Sequence, residues 1–191
     1  MSGPTPTPEL SAGEWAVLGA LAEGATHGFA LARLLGPGGP LGQIWTLPRP
    51  VVYQALNKLS DRGLVAPQAT ERSERGPNRT IVAVTPAGRR ALERWLATPV
   101  EHVRDMRSEL LLKLALLDRA GTDRAATVRT RLIDAQRATL DARLQALRTQ
   151  EQAGEGFERL LGAWRAASVR AVLEFLSAAS PVTPPTAASR R

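Results

Sequence analysis

The apolar positions of the chain change period as it runs, and the changes mark out its elements. After SAGE, a capping-box pattern with Ser11 three residues before Glu14, the residues Trp15, Leu18 and Leu21 recur at helical spacing. EGATHG interrupts them. FALARLL then reads as a short helix with Phe29, Leu31, Leu34 and Leu35 available for burial, stopped by the breaker string GPGGP. The stretch RPVVYQALNKLSDRGLV, residues 49–65, follows. Pro50 fits the first turn of a helix and biases Arg49 toward an extended conformation, at or near the N-cap. At about 100° per residue, Val52, Ala55, Leu56 and Leu59 fall on one side, and Tyr53, Gln54, Asn57, Lys58 and Asp61 on the other. Gly63 supplies a left-handed C-terminal position, with Leu64 as the apolar contact beyond it.

The pattern next becomes strand-like. LVAPQATER and TIVAVT predict two short strands joined by SERGPNR, whose Gly-Pro-Asn is turn chemistry. Thr85 then caps a helix with Pro86 at its first position and Leu92, Trp95 and Leu96 on its apolar stripe. Past residue 100 no strand signal remains. RSELLLKLALLD, residues 107–118, is apolar nearly all round, which predicts burial on several sides. A helix from about Thr122 to Gln152 repeats Ile133, Leu140 and Leu147 seven apart, with Leu144 between. After AGEG, a stripe of Phe157, Leu160, Leu161, Trp164, Ala167, Ser168, Ala171, Val172 and Phe175 predicts another. Two long amphipathic helices with little to cover them predict a partner surface, most simply a second copy of the chain. Residues 1–8 and 180–191, rich in Pro, Ser and Thr, read as disordered tails.

The expected fold is therefore mainly α with a small β-hairpin. A winged helix-turn-helix DNA-binding domain covers residues 9–99, and an α-helical dimerisation domain covers residues 100–179. In the winged arrangement the third helix enters the major groove and the hairpin lies beside it. Arg49, Tyr53 and Lys58 are then natural phosphate ligands, and Gln54 and Asn57 suit adenine edges. The wing adds Arg72, Arg75 and Arg79, set against Glu71 and Glu74. Any amphipathic surface helix has a polar side, and wing arginines are often merely solvated; the order of elements is what points this side at DNA.

Charge agrees without deciding the matter. The 191 residues carry a formal +7, but the basic residues are spread over both halves, so binding must rest on local geometry, with dimerisation doubling the phosphate contacts. Only Lys58 and Lys113 are lysine; arginine suits phosphates and guanine edges, although a GC-rich genome would give the same bias. The absence of cysteine and the presence of only two histidines remove disulfides, thiol nucleophiles and the common zinc sites, so no metal or cofactor is expected. Without a Gly-rich phosphate loop, a nucleophile elbow or paired acids and histidines, an enzyme is not expected either. There is no signal-peptide pattern at the N-terminus and no apolar run long enough for a membrane span, which predicts a cytoplasmic protein.

HGFALARLL, RPVVYQALNKLSDRGLV, VTPAGRRALERWL and RSELLLKLALL, read in that order, resemble the PadR family of bacterial transcriptional regulators over roughly residues 10–118. The long C-terminal helices resemble the subfamily with the larger dimerisation domain. Tyr53 matches the family tyrosine of the recognition helix, Leu56, Leu59, Gly63 and Leu64 its scaffold, and Thr85 with Gly88 the exit from the wing. Phe29 stands in place of a tyrosine in the HGY pattern, and Ala83 in place of a wing tyrosine; both read as core changes. The resemblance implies a homodimer that represses a promoter at a pseudo-palindromic operator and releases it on binding a ligand or changing conformation. A small aromatic effector would need flat apolar walls, which Trp95, Phe157, Trp164 or Phe175 would offer near a dimer interface; the ordinary fate of such residues is the core. The alternative function is a winged-helix protein–protein interaction module without DNA binding.

Overall fold

The computed structural model describes residues 9–72, 78–153 and 155–179. Its elements are α1 (Ala12–Ala22), α2 (Gly28–Leu35), α3 (Arg49–Asp61), β1 (Val65–Glu71), β2 (Arg79–Val84), α4 (Pro86–Ala97), α5 (Val103–Asp105), a π-helical turn (Met106–Leu110), α6 (Leu111–Ala120), α7 (Asp123–Ala153) and α8 (Gly156–Ala179). Two compact units divide the chain, the first ending at Arg129 and the second beginning at Thr130. The two expected tails lie outside the described residues.

Local chemistry sets the helix starts. The Glu14 amide donates to the Ser11 hydroxyl at 3.3 Å and the Ser11 amide donates to the Glu14 carboxylate at 3.0 Å, completing the capping box of α1. Thr85 caps α4 by accepting from the Gly88 amide at 3.1 Å. Thr122 accepts from the Ala125 amide at 3.1 Å at the start of α7. Helix α3 ends as the sequence predicts, with Gly63 at φ +65° and Leu64 buried behind it.

One cluster forms the core of the first unit. Val17, Leu18 and Leu21 of α1, Leu31 and Leu35 of α2, Val52 and Leu59 of α3, and Trp95 of α4 all belong to it. Each fully buried leucine contributes about 2 kcal/mol of hydrophobic stabilisation. Leu112 and Leu116 of α6 join the same cluster, so this core runs past residue 99, where the composition changes. Helix α1 approaches α6 at Gly19, where any Cβ would collide with Leu116. Arg119 of α6 closes the joint with a bidentate pair to Glu23, both N–O distances 2.6 Å. The stretch 107–118, expected as one helix, begins instead inside the π-helical turn, which shifts the side chains that follow it.

β1 and β2 pair antiparallel, with Val65 opposite Val84 and Glu71 opposite Arg79. The register breaks between Pro67 and Ala69, where proline brings no amide hydrogen to the ladder. Thr26 adds a rung on the far side of β2: its amide donates to the Val82 carbonyl at 3.1 Å, and its carbonyl accepts from the Val82 amide at 2.9 Å. A single rung is too short to show period two, which is why EGATHG reads only as a break.

The second unit holds most of α7 together with α8. Leu132, Ile133, Leu140, Leu144 and Leu147 of α7 are buried, with Gln136 among them. In α8 the buried positions are Gly162, Ala166, Val169 and Leu176. The aromatic side of α8 lies opposite and is open: Phe157 is 74% exposed, Trp164 67% and Phe175 41%. The expectation that these three rings sit in a core is therefore corrected. Large side chains dominate a hydrophobic pattern, but the small side of a helix permits the closest backbone approach, and here that is the side that is covered.

Candidate nucleic-acid interface

Helix α3 is fixed from behind and open in front. Val52, Ala55, Leu56 and Leu59 are buried, whereas Gln54, Asn57 and Asp61 are exposed. Its N-cap is Pro48 rather than Arg49: the Pro48 carbonyl accepts from the Val51 and Val52 amides at 2.9 and 3.2 Å, so Arg49 is already the first helical residue. Arg49 thus stands between two prolines, whose fixed φ angles hold its backbone in place.

A cleft of about 730 Å³ opens between this helix and the wing. Its walls carry His27 and Phe29 from α2 and its cap, Arg49, Tyr53 and Asn57 from α3, and Arg79 from β2. Among the described residues, no aspartate or glutamate lines it. His27 accepts the Ala30 amide on Nδ1 at 3.1 Å and so caps α2. At Gly28 the ring of Tyr53 packs so closely that a Cβ would lie 2.8 Å from its Cε1. The His-Gly pair therefore starts α2 and seats the α3 tyrosine in the same two residues.

Phe29 is not a core residue. It is 50% exposed and out of phase with Leu31 and Leu35, which share the buried side of α2. The guanidinium carbon of Arg49 lies 5.5 Å from the Phe29 ring centroid and 5.6 Å from that of Tyr53. Sequence reading missed Phe29 because aromatic content alone favours burial; the signal available was its offset of two from Leu31.

The other expected ligands divide. Lys58 lies on the opposite flank of α3 and pairs with Glu14 of α1 at 3.2 Å. Glu14 is itself buried, so Lys58 ties α3 to α1 and a phosphate would compete with that carboxylate. Gln54 is exposed on the outer side of α3 and Arg72 is exposed at the end of β1, neither of them in the cleft. Arg75, with Ser73 to Pro77, lies outside the described residues.

Trp95 offers no wall to a ligand. Its ring stacks on Trp15 at 4.8 Å with 9° between planes, its indole N–H donates to Glu109 at 3.0 Å, and the Lys113 ammonium sits 4.8 Å from its centroid. Phe157 and Trp164 are on the open side of α8 in the second unit. Among the described residues no group of His, Asp and Glu is placed to hold a metal, and no helix is long and apolar enough to cross a membrane.

Residues 17–94 match the family described as transcriptional regulator PadR-like. The "Probable transcriptional regulator Rv1176c" of Mycobacterium tuberculosis is 30% identical over 115 residues, which cover 60% of this chain and 56% of that protein's length. Bacillus subtilis PadR in complex with operator DNA is similar at 20% identity and a TM-score of 0.44, covering 87% of this chain and 95% of that one. The same protein in complex with p-coumaric acid gives 20% identity and a TM-score of 0.39 over 88% of this chain and 93% of that one. The stretch that matches the PadR-like family, residues 17–94, is the one that holds α3, both strands of the wing and the cleft between them.

Proposed function

We infer that the protein binds double-stranded DNA sequence-specifically, as a cytoplasmic homodimer, and regulates transcription as a ligand-responsive repressor. The observation that carries this is the cleft beside the open side of α3, where Arg49, Tyr53, Asn57 and Arg79 come together and, among the described residues, no acid is present. A duplex meeting that side finds Arg49, Tyr53 and Arg79 for its phosphates, and Gln54 and Asn57 for adenine edges. The residues 9–99 supply this surface, and the helices beyond supply the pairing. On α8 the exposed row Phe157, Leu160 and Trp164 is the apolar area a second copy would cover. Two copies present their α3 helices to half-sites about 34 Å apart or a multiple of that. A small aromatic compound is the effector class we propose, with Phe157 and Trp164 as the flat surfaces near the interface and Trp95 excluded by its burial.

Selection from a random duplex library tests this directly. An enriched inverted repeat is the expected result, with affinity that falls steeply as salt rises. No binding even at low salt would favour the protein-interaction module instead. Asn57→Ala is expected to cost about 1–3 kcal/mol and relax one base position, whereas Arg49→Ala should weaken all sequences and lower the salt slope by about 1. Trp164→Glu should shift the sedimentation mass from dimer to monomer with the far-ultraviolet dichroism of the helices retained; a dimer that persists would place the seam elsewhere.

A further inference from the structure

Phe29 makes no hydrogen bond that would fix a ligand, and half of its surface stays open, yet it stands at the mouth of the cleft against the one α3 side chain flanked by prolines. We propose that Phe29 is a positioning residue for DNA binding: with Tyr53 it holds the Arg49 guanidinium between two aromatic faces, ready to take a backbone phosphate of the duplex in the cleft. The proposal rests on the DNA-binding function inferred above.

Three observations converge on it. The guanidinium carbon is almost equidistant from the two ring centroids, at 5.5 and 5.6 Å, within the range of a cation–π contact. Among the described residues, Arg49 has no carboxylate partner in an ion pair, and none of those lining the cleft is an acid that would compete for it. Its backbone is restrained as well, since Pro48 and Pro50 flank it. A long arginine side chain otherwise loses much rotamer freedom when it takes a ligand. Rings that hold it beforehand lower that loss and keep the planar fork available for phosphate oxygens, which accept from its edge and leave its faces to the rings. A phenylalanine suits this role because its hydrogen-bonding inertness leaves all the donors of Arg49 to the ligand. Tyr53 is in turn held by its seat on Gly28, so the frame is built from two helices rather than from one mobile side chain.

The test uses the full-length protein, a mixed-sequence duplex and fluorescence anisotropy at several salt concentrations. The wild type should bind with a salt-dependent affinity; if it does not, the DNA-binding function itself fails. Given that binding, Phe29→Ala and Phe29→Leu should each weaken affinity about five- to tenfold and reduce the salt slope by up to about 0.9, the value of one phosphate contact. Phe29→Tyr, which keeps the ring, should restore both. In an Arg49→Ala background, Phe29→Ala should cause no further loss. Full affinity in Phe29→Leu, or losses that simply multiply in the double variant, would overturn the positioning role while leaving DNA binding intact. Melting temperatures of the variants should match the wild type, because Phe29 contributes little to the core; a large drop in Phe29→Leu would make the role structural and overturn the proposal.

Discussion

Replacing Gly88 by valine is expected to remove most of the stability of the first unit, although the residue lies in the first turn of a helix, where valine costs little. The obstacle is backbone. A Cβ on Gly88 would run into the Leu64 carbonyl oxygen and stand 3.0 Å from its carbon and 2.9 Å from Val84 Cγ1. That carbonyl accepts the Thr85 amide at 3.0 Å and the Thr85 hydroxyl at 3.1 Å, so it cannot retreat without opening the junction of α3, β1 and α4. The Gly88 amide also closes the cap on Thr85. A cost of about 3 kcal/mol or more is expected for alanine, with valine worse. That is a large fraction of the roughly 5–15 kcal/mol that keeps a domain folded. For a chain of this size the melting temperature should fall by about 10 °C. Gly24→Ala is the control, since a Cβ there meets nothing within 4 Å. Thermal unfolding followed by circular dichroism decides it: equal melting temperatures for the Gly24 and Gly88 variants would refute the packing account.

The second large effect is expected at Lys113. Its side chain is 1% exposed, its ammonium lies 2.8 Å from the Glu109 carboxylate, and it donates to the Thr98 carbonyl at 2.7 Å. Glu109 accepts the Trp95 indole N–H as well, so one charge pair ties α4 to the π-helical turn and to α6. Lys113→Met should destabilise by about 3 kcal/mol, because it leaves a carboxylate without its cation and a carbonyl without its donor. Adding Glu109→Gln should recover part of that loss, since the amide still accepts from Trp95 and carries no charge. A double variant no better than Lys113→Met alone would show that the charge is not what matters.

The same residue gives a pH dependence with a definite sign. Burial pushes the Lys113 pKa below the ordinary lysine value, and the hydrogen bond and charge of Glu109 only partly oppose it. Between the folded value and roughly 10.4 the unfolded chain binds the proton more tightly than the folded one, so stability from this group rises with pH across that window. Below the folded value the contribution is at its minimum. The stability difference between wild type and Lys113→Met, measured by urea unfolding, should accordingly widen as the pH rises toward the ordinary lysine value.

Much of the candidate site was legible in the sequence. Gly63 and the stripe of Val52, Ala55, Leu56 and Leu59 define α3, and the polar residues left over are the ones that face outward. Arg49, Tyr53, Asn57 and Arg79, expected as DNA ligands, do share one cleft. The pairing of Lys58 with Glu14 was not legible, because Glu14 is 44 residues away in sequence and no local pattern reveals that a capping glutamate will be buried against α3. Phe29 was misread for a related reason. Its offset from Leu31 takes it off the buried side of α2, but its place beside Arg49 and Tyr53 exists only once α2 and α3 are packed together.

The amino-acid sequence by itself determined the order and approximate extent of the helices and strands, and which side of α3 faces the core. Those features depend on neighbours within a few residues: a hydroxyl cap, a proline in a first turn, a glycine at positive φ, an apolar repeat. The tertiary structure alone decided which charges are spent on one another, which aromatic rings are open, and that α8 covers its small side while Phe157 and Trp164 stay exposed. Those outcomes depend on the packing of segments distant in sequence, and their physical reason is spatial: which side of a helix is covered depends on the elements that meet it, and whatever they leave outside is presented to solvent and to partners.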